Sequence, residues 1–430
     1  MNYSKHATMK NFLIIFLFSF LSSTSIFSQT STKPTKSELE EGNWQGSLFR
    51  EDGFKIPIKL QVETKGGRQI IYVVNGTEKL ATDAPVLEGD SLLINMPVFE
   101  SSFKVKYAAN KLKGYWIKGG SNKSLIVPFE AHPQELISSN KQTIPSSKNS
   151  KSTAINLTGK WDLQILKADQ SARPAIGNFV QKGTILTGSV LTPTGDYRYM
   201  AGTVVGDSLQ LSTFDGIHAL SFTGKISGEK ISGQFYSGAA PSENWTAVKN
   251  DKVALVAPIT TVMEGSDGKL DFKYLDLDGK EVALNSEPYR NKVVVVQLMG
   301  SWCPNCMDEM AFLSDYYTKN KSRGVEVIAL AYELTTDTER SRKSLQKFQK
   351  QFKVDYPILN TGVTVGDKER TEKTLPQITE IKVFPTSIIL DKKGTIKEIN
   401  TAFYGPGTGE YYQIYKNKFE NTINTLLAEK

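Results

Sequence analysis

The stretch "GSWCPNCMDEM", Gly300–Met310, holds Cys303 and Cys306, the only cysteines in a chain of 430 residues. Upstream, "NKVVVVQLM" (Asn291–Met299) is a continuous apolar run, as expected of a strand buried on both faces. Downstream, Cys306, Met310, Leu313 and Tyr317 recur at helical spacing. The cysteines therefore stand where a strand passes into a helix that begins near Pro304. Proline fits a first turn because its missing N–H would have gone unpaired there. Cys303 is expected at the helix N-terminus, where free backbone N–H groups and the helix dipole favour a negative charge. That makes Cys303 an exposed nucleophile. Cys306, one turn in, is near enough to close a disulfide with it. Trp302 is expected beside the sulfurs, limiting access.

Two more apolar runs follow, "VEVIALAYE" (Val325–Glu333) and "TSIILD" (Thr386–Asp391). The latter turns through "KKGT" into "IKEI" as a hairpin. Leu345, Phe348 and Phe352 mark a helix between them. Tyr412, Tyr415, Phe419, Ile423 and Leu426 mark a last one. Strands alternating with helices predict a βαβ unit, then a hairpin and a final helix, over residues 262–430.

Competing chemistries lack partners. A zinc site needs about four Cys or His ligands, and no histidine follows His218. A Cys–His hydrolase lacks its base for the same reason, and copper delivery lacks a downstream histidine. A purely structural disulfide would close almost no loop and restrain little. No metal and no cofactor is expected.

Lys5 and Lys10 precede the apolar run "FLIIFLFSFL" (Phe12–Leu21), and small residues Ser25 and Ser28 follow. This is the pattern of a secretory signal over 1–28, with cleavage after Ser28; an uncleaved anchor is the alternative. The composition, 39% hydrophobic and 23% charged, is that of globular protein, and the length suits two or three domains. Losing Lys5 and Lys10 lowers the formal charge from +7 to +5. With no basic run in the sequence, nucleic-acid binding is excluded.

The middle of the chain reads as a duplication. Gly42 and Trp44 in "EGNWQG" recur as Gly159 and Trp161 in "TGKWDL". "GDSLLI" from Gly89 recurs as "GDSLQL" from Gly206 at the same step of 117 residues. Short alternating runs such as "KIPIKLQVE" and "GTILTGSVL", with Asn75-Gly76 between strands, predict antiparallel hairpins. The expected order is a flexible segment (29–41), a β module (42–133), a linker (134–157) and a repeat of the module (158–249). Each module is read as a small barrel or sandwich. Trp44 and Trp161 are expected to plug their own cores. The opening Gly-x-Trp resembles the start of lipocalin-type barrels.

The C-terminal block resembles the thioredoxin superfamily, and within it the exported TlpA-like thiol-disulfide oxidoreductases. Cys303 and Cys306 after Trp302, Glu309 three residues beyond the second cysteine, and "VFPTSIILDKKGTI" carry the resemblance. It implies catalytic roles for Cys303, Cys306, Glu309 and Pro385, the last as a cis-proline. It implies substrate contacts at Trp302, Phe384 and Thr386. Glu309 would take the proton of Cys306. The implied partners are oxidised proteins of the cell envelope or periplasm, apocytochrome c among them, and a membrane electron donor. Two positions depart from the pattern: Gln297 stands where thioredoxins carry a buried acid, and Ala311 where the family often has proline. The competing class is an envelope binding protein with the C-terminal domain as scaffold. A thiol peroxidase fits less well, because a second cysteine follows one turn on.

Overall fold

The computed structural model of the chain describes residues 38–134, 156–167, 169 and 171–429. The expected signal (1–28), residues 29–37 of the flexible segment and residues 135–155 of the linker lie outside the described residues.

The first nine strands are β1 (Gly42–Phe49), β2 (Lys55–Lys65), β3 (Arg68–Asn75), β4 (Glu78–Ala81), β5 (Val86–Glu88), β6 (Ser91–Asn95), β7 (Ser101–Ala108), β8 (Lys111–Lys118) and β9 (Leu125–Pro133). Alternation shapes them: in β2, Ile56, Ile58, Leu60 and Val62 are buried while the residues between them are not. The strands form one antiparallel sheet in the order β4-β3-β2-β1-β9-β8-β7-β6-β5. It is open between β4 and β5.

The second set is β10 (Gly159–Leu166), β11 (Ala172–Lys182), β12 (Ile185–Thr192), β13 (Gly195–Asp196), β14 (Met200–Val205), β15 (Ser208–Phe214), β16 (Ala219–Ser227), β17 (Lys230–Ser237) and β18 (Glu243–Lys249). Here β12 pairs with both β11 and β14, so the sheet closes into a barrel. The two-residue β13 pairs with β12 alone. In both sets the early tryptophan is buried, and its indole N–H donates to a carbonyl four residues back. Trp44 bonds Glu40 O at 2.8 Å and Trp161 bonds Leu157 O at 2.9 Å.

A hairpin, β19 (Lys273–Leu275) with β20 (Glu281–Ala283), leads into the α/β part. There β21 (Val293–Met299) is buried along its whole length. It pairs in parallel with β22 (Val325–Ala331), which pairs in parallel with β23 (Ile358–Asn360). On its other side lie β24 (Thr386–Leu390) and β25 (Ile396–Asn400), both antiparallel. The helices are α1 (Pro304–Asn320), α2 (Thr338–Phe352), the short α3 (Arg370–Thr374) and α4 (Glu410–Ala428). The apolar stripe of α4 is buried at Tyr415, Phe419, Ile423 and Leu426. Among the described residues no helix is long and apolar enough to cross a membrane.

The three regions share side chains. Phe214, at the end of β15, lies within the core of the first sheet, 5.4 Å from the Phe103 ring and 5.5 Å from that of Trp116. The Asn75 amide holds it there by accepting from Phe214 N (3.1 Å) and donating to Phe214 O (2.9 Å). Arg198, beyond β13, pairs with Glu78 of β4 and with Asp308 of α1. Glu100 of the first sheet pairs with Arg340 of α2 and accepts from Ser344 Oγ at 3.0 Å.

Candidate active site

Gly300 follows β21, and a side chain there would meet the Trp302 indole, which folds back over it. The indole N–H donates to Tyr332 O at 2.8 Å, and its ring stands edge-on to Phe384 at 5.7 Å. Cys303 is the N-cap of α1, with extended backbone angles (φ −109°, ψ 112°). Its sulfur accepts the Cys306 N–H at 3.2 Å, the place a Ser or Asp oxygen takes in an ordinary cap. The same sulfur lies 3.6 Å from Phe384 O, toward which its S–H points. Phe384–Pro385 is cis. Both cysteines are free thiols.

Burial corrects two expectations. Cys303 is only 5% exposed and Cys306 is fully buried, so the nucleophile is sheltered at the rim of the core rather than exposed. Thr386 is 1% exposed, and its hydroxyl donates inward to Val383 O at 2.8 Å. It braces the loop before β24 with its hydroxyl turned inward. Trp302 and Phe384 are half-buried and keep open surface.

Glu309 is 1% exposed, so it is no surface carboxylate. It accepts from Ser387 Oγ (2.7 Å), Tyr415 OH (2.9 Å) and Gln297 Nε2 (2.9 Å). Burial pushes its carboxyl above the usual range, against the pull of those donors. Burial also pushes the Cys306 thiol well up; its hydrogen bond with Cys303 and the charge of Glu309 add to this. An acid with raised affinity for a proton thus shares one buried region with a thiol reluctant to release its own.

Sequence reasoning missed the residues that frame this centre. Tyr415 was legible only as part of an apolar stripe, and Ser387 only as a strand residue. Glu333 accepts from Ser301 N (2.8 Å) and Ser301 Oγ (2.5 Å), which ties the Trp-Cys loop to the end of β22. Burial pushes it up to about 7. Its position just after an apolar strand was the available signal. Asp308 faces away from the thiols toward Arg198. Glu78 and Asp308 pair with that one guanidinium, Asp196 accepts the backbone N–H of Arg198 at 2.6 Å, and burial pushes Asp308 up to about 7.

The AhpC/TSA family profile matches residues 267–399. Thiol-disulfide oxidoreductase ResA of Bacillus thuringiensis subsp. konkukian (strain 97-27) is 31% identical over 150 residues, which cover 34% of this chain and 74% of that protein. The chain belongs to the thioredoxin superfamily, among its TlpA-like thiol-disulfide oxidoreductases. ResA of Geobacillus kaustophilus (strain HTA426) is 30% identical over 142 residues, covering 33% of this chain and 71% of that one. Among solved structures, a putative thiol:disulfide interchange protein DsbE from Chlorobium tepidum is 20% identical. The match covers 39% of this chain and all of that one, with a TM-score of 0.30. The TlpA-like region is the α/β part that carries the dithiol.

Proposed function

We propose that the Cys303–Cys306 pair reduces disulfide bonds of exported proteins in the cell envelope. The Cys303 thiolate attacks one sulfur of the target and forms a mixed disulfide, and the second target sulfur leaves as a thiol. Cys306 passes its proton to Glu309 and attacks Cys303, which frees the other target thiol. The pair ends as a disulfide, two electrons and two protons poorer, and the target cystine gains both. A dithiol donor on the membrane side would return them. On this reading residues 1–28 are a cleaved signal and residues 262–430 are the redox domain. Residues 42–133 and 158–249 are then a duplicated β unit that positions it.

The observation that carries the reading is the local geometry of one turn of helix. A cysteine caps α1 with its sulfur on the N–H of the second cysteine, and a buried, proton-retaining glutamate stands one turn further on. The test is trapping with Cys306→Ser. Mixed disulfides on Cys303 should accumulate, and insulin reduction by the wild-type chain should vanish in Cys303→Ser. Should no mixed disulfide form while the β units still retain an envelope ligand, the binding-protein reading replaces this one.

A further inference from the structure

The mouth of the closed barrel opens onto the redox motif. A cavity of about 650 Å³ lies there, and its floor includes Pro304 and Asn305, the two residues between the cysteines. The volume is in the range that holds a small ligand or a short peptide. The contact is built rather than incidental. Asn305 Nδ2 donates to Asp196 O and to Asp196 Oδ2, both at 3.2 Å. Asp196 Oδ2 also accepts from Gly405 N at 2.7 Å, and Arg198 Nη1 donates to Pro304 O at 3.3 Å. Gly195 comes so close to Asn305 that any side chain there would collide with it.

We infer that this cavity is a recognition site for the polypeptide segment that flanks the target cystine. The inference rests on the disulfide-reductase reading. Asn305 is two residues from Cys303, at most about 7 Å along the chain. Residues next to a cystine held at Cys303 therefore come within reach of the cavity. Its wall is aromatic: Tyr197 stacks on Phe235 with ring centroids 5.7 Å apart. Arg173 donates to Glu243 through Nη2 at 2.8 Å, but its buried Nε has no partner among the described residues. The lining acids are Asp196, Asp215 and Glu243. His218 pairs with Asp215 and Arg173 with Glu243, while the exposed Lys167 also lines the space, so both signs of charge face it.

The experiment uses the reduced full chain with two oxidants, a disulfide-bonded peptide and the small aromatic disulfide dithiobis(nitrobenzoate). Thr194→Trp and Ser242→Trp each place bulk on exposed rim positions of the cavity. The expected result is a fall of about tenfold in kcat/KM for the peptide relative to the small disulfide, carried by KM, in both variants. An unchanged ratio in both variants overturns the inference. Wild-type protein that reduces neither oxidant sinks the reductase reading instead, so the two failures are distinct.

Discussion

The two nine-stranded units place their strands in the same succession, yet one closes and the other does not. In the second, β12 bridges β11 and β14. In the first, β4 and β5 remain edges. The loops that follow the sixth strand of each unit also diverge. After β6, Phe99 and Glu100 turn to α2, with Phe99 edge-on to Phe348 at 6.1 Å. At the end of β15, Phe214 enters the open unit instead, and Ile217 joins the same core. A sheet without a closing strand pair can complete its core by borrowing side chains from a neighbour. The closed unit needs no such loan and is free to turn its mouth toward the dithiol.

The largest effect expected from this asymmetry is at Phe214. Phe214→Ala removes a fully buried ring from a unit that does not own it, at a cost of about 3–5 kcal/mol. Denaturation followed by Trp116 fluorescence should show the first unit losing its midpoint before the second. If both units shift equally, or neither does, the borrowed-core account is wrong. Close behind comes Arg198→Met. It leaves Glu78 and Asp308 buried without their shared cation, and the penalty for stranding buried charge is about 3–5 kcal/mol. Because Asp308 is pushed up to about 7, the loss should be greater at pH 8 than at pH 6. Equal losses at the two values would show that Asp308 does not titrate there.

These two residues also mark what the sequence could and could not reveal. The strands of each unit, the buried β21 and the stripe of α4 are written in local periodicity, and local periodicity is what a single sequence exposes. The dithiol at the start of α1 was legible because a strand run, a proline and a helical pattern meet there. Arg198 was not legible. It is a lone arginine with a left-handed φ of 53°, and it acquires meaning only through Glu78 and Asp308, each more than a hundred positions away. The sheltering of Cys303 and the inward turn of Thr386 were missed for a related reason. A motif shows which chemistry is present, whereas exposure depends on what the rest of the chain lays over it. Glu309 lay between these cases: its spacing from Cys306 was readable, but its cage of Gln297, Ser387 and Tyr415 was not.

The other unit reaches the redox domain through Glu333. Burial holds this carboxyl up to about 7, and the nearby charge of Glu100 adds to the rise while Arg340 opposes it. Glu333 keeps its proton in the fold after the unfolded chain has ionised. Its contribution to stability is therefore fully present below about pH 4.5 and is lost as pH climbs through about 7. The interval corresponds to roughly 3 kcal/mol. Glu333→Gln should flatten that part of the stability–pH curve measured by urea denaturation. A slope unchanged in the variant would assign it to other groups.

The smallest effect is at Glu100 itself. Its bond to Arg340 is bidentate, with Nε to the two carboxylate oxygens at 3.0 and 3.1 Å, but both side chains are about 30% exposed. Pairs of that kind contribute about 0.2–1 kcal/mol. Glu100→Gln should therefore barely move the midpoint at pH 7. Its informative consequence is electrostatic. Removing the negative charge, and leaving Arg340 less engaged, both favour the ionised form of Glu333. The falling part of the stability curve should move to lower pH in Glu100→Gln and be absent when Glu333→Gln is added. If Glu100→Gln leaves the curve in place, the charge of Glu100 does not govern the protonation of Glu333.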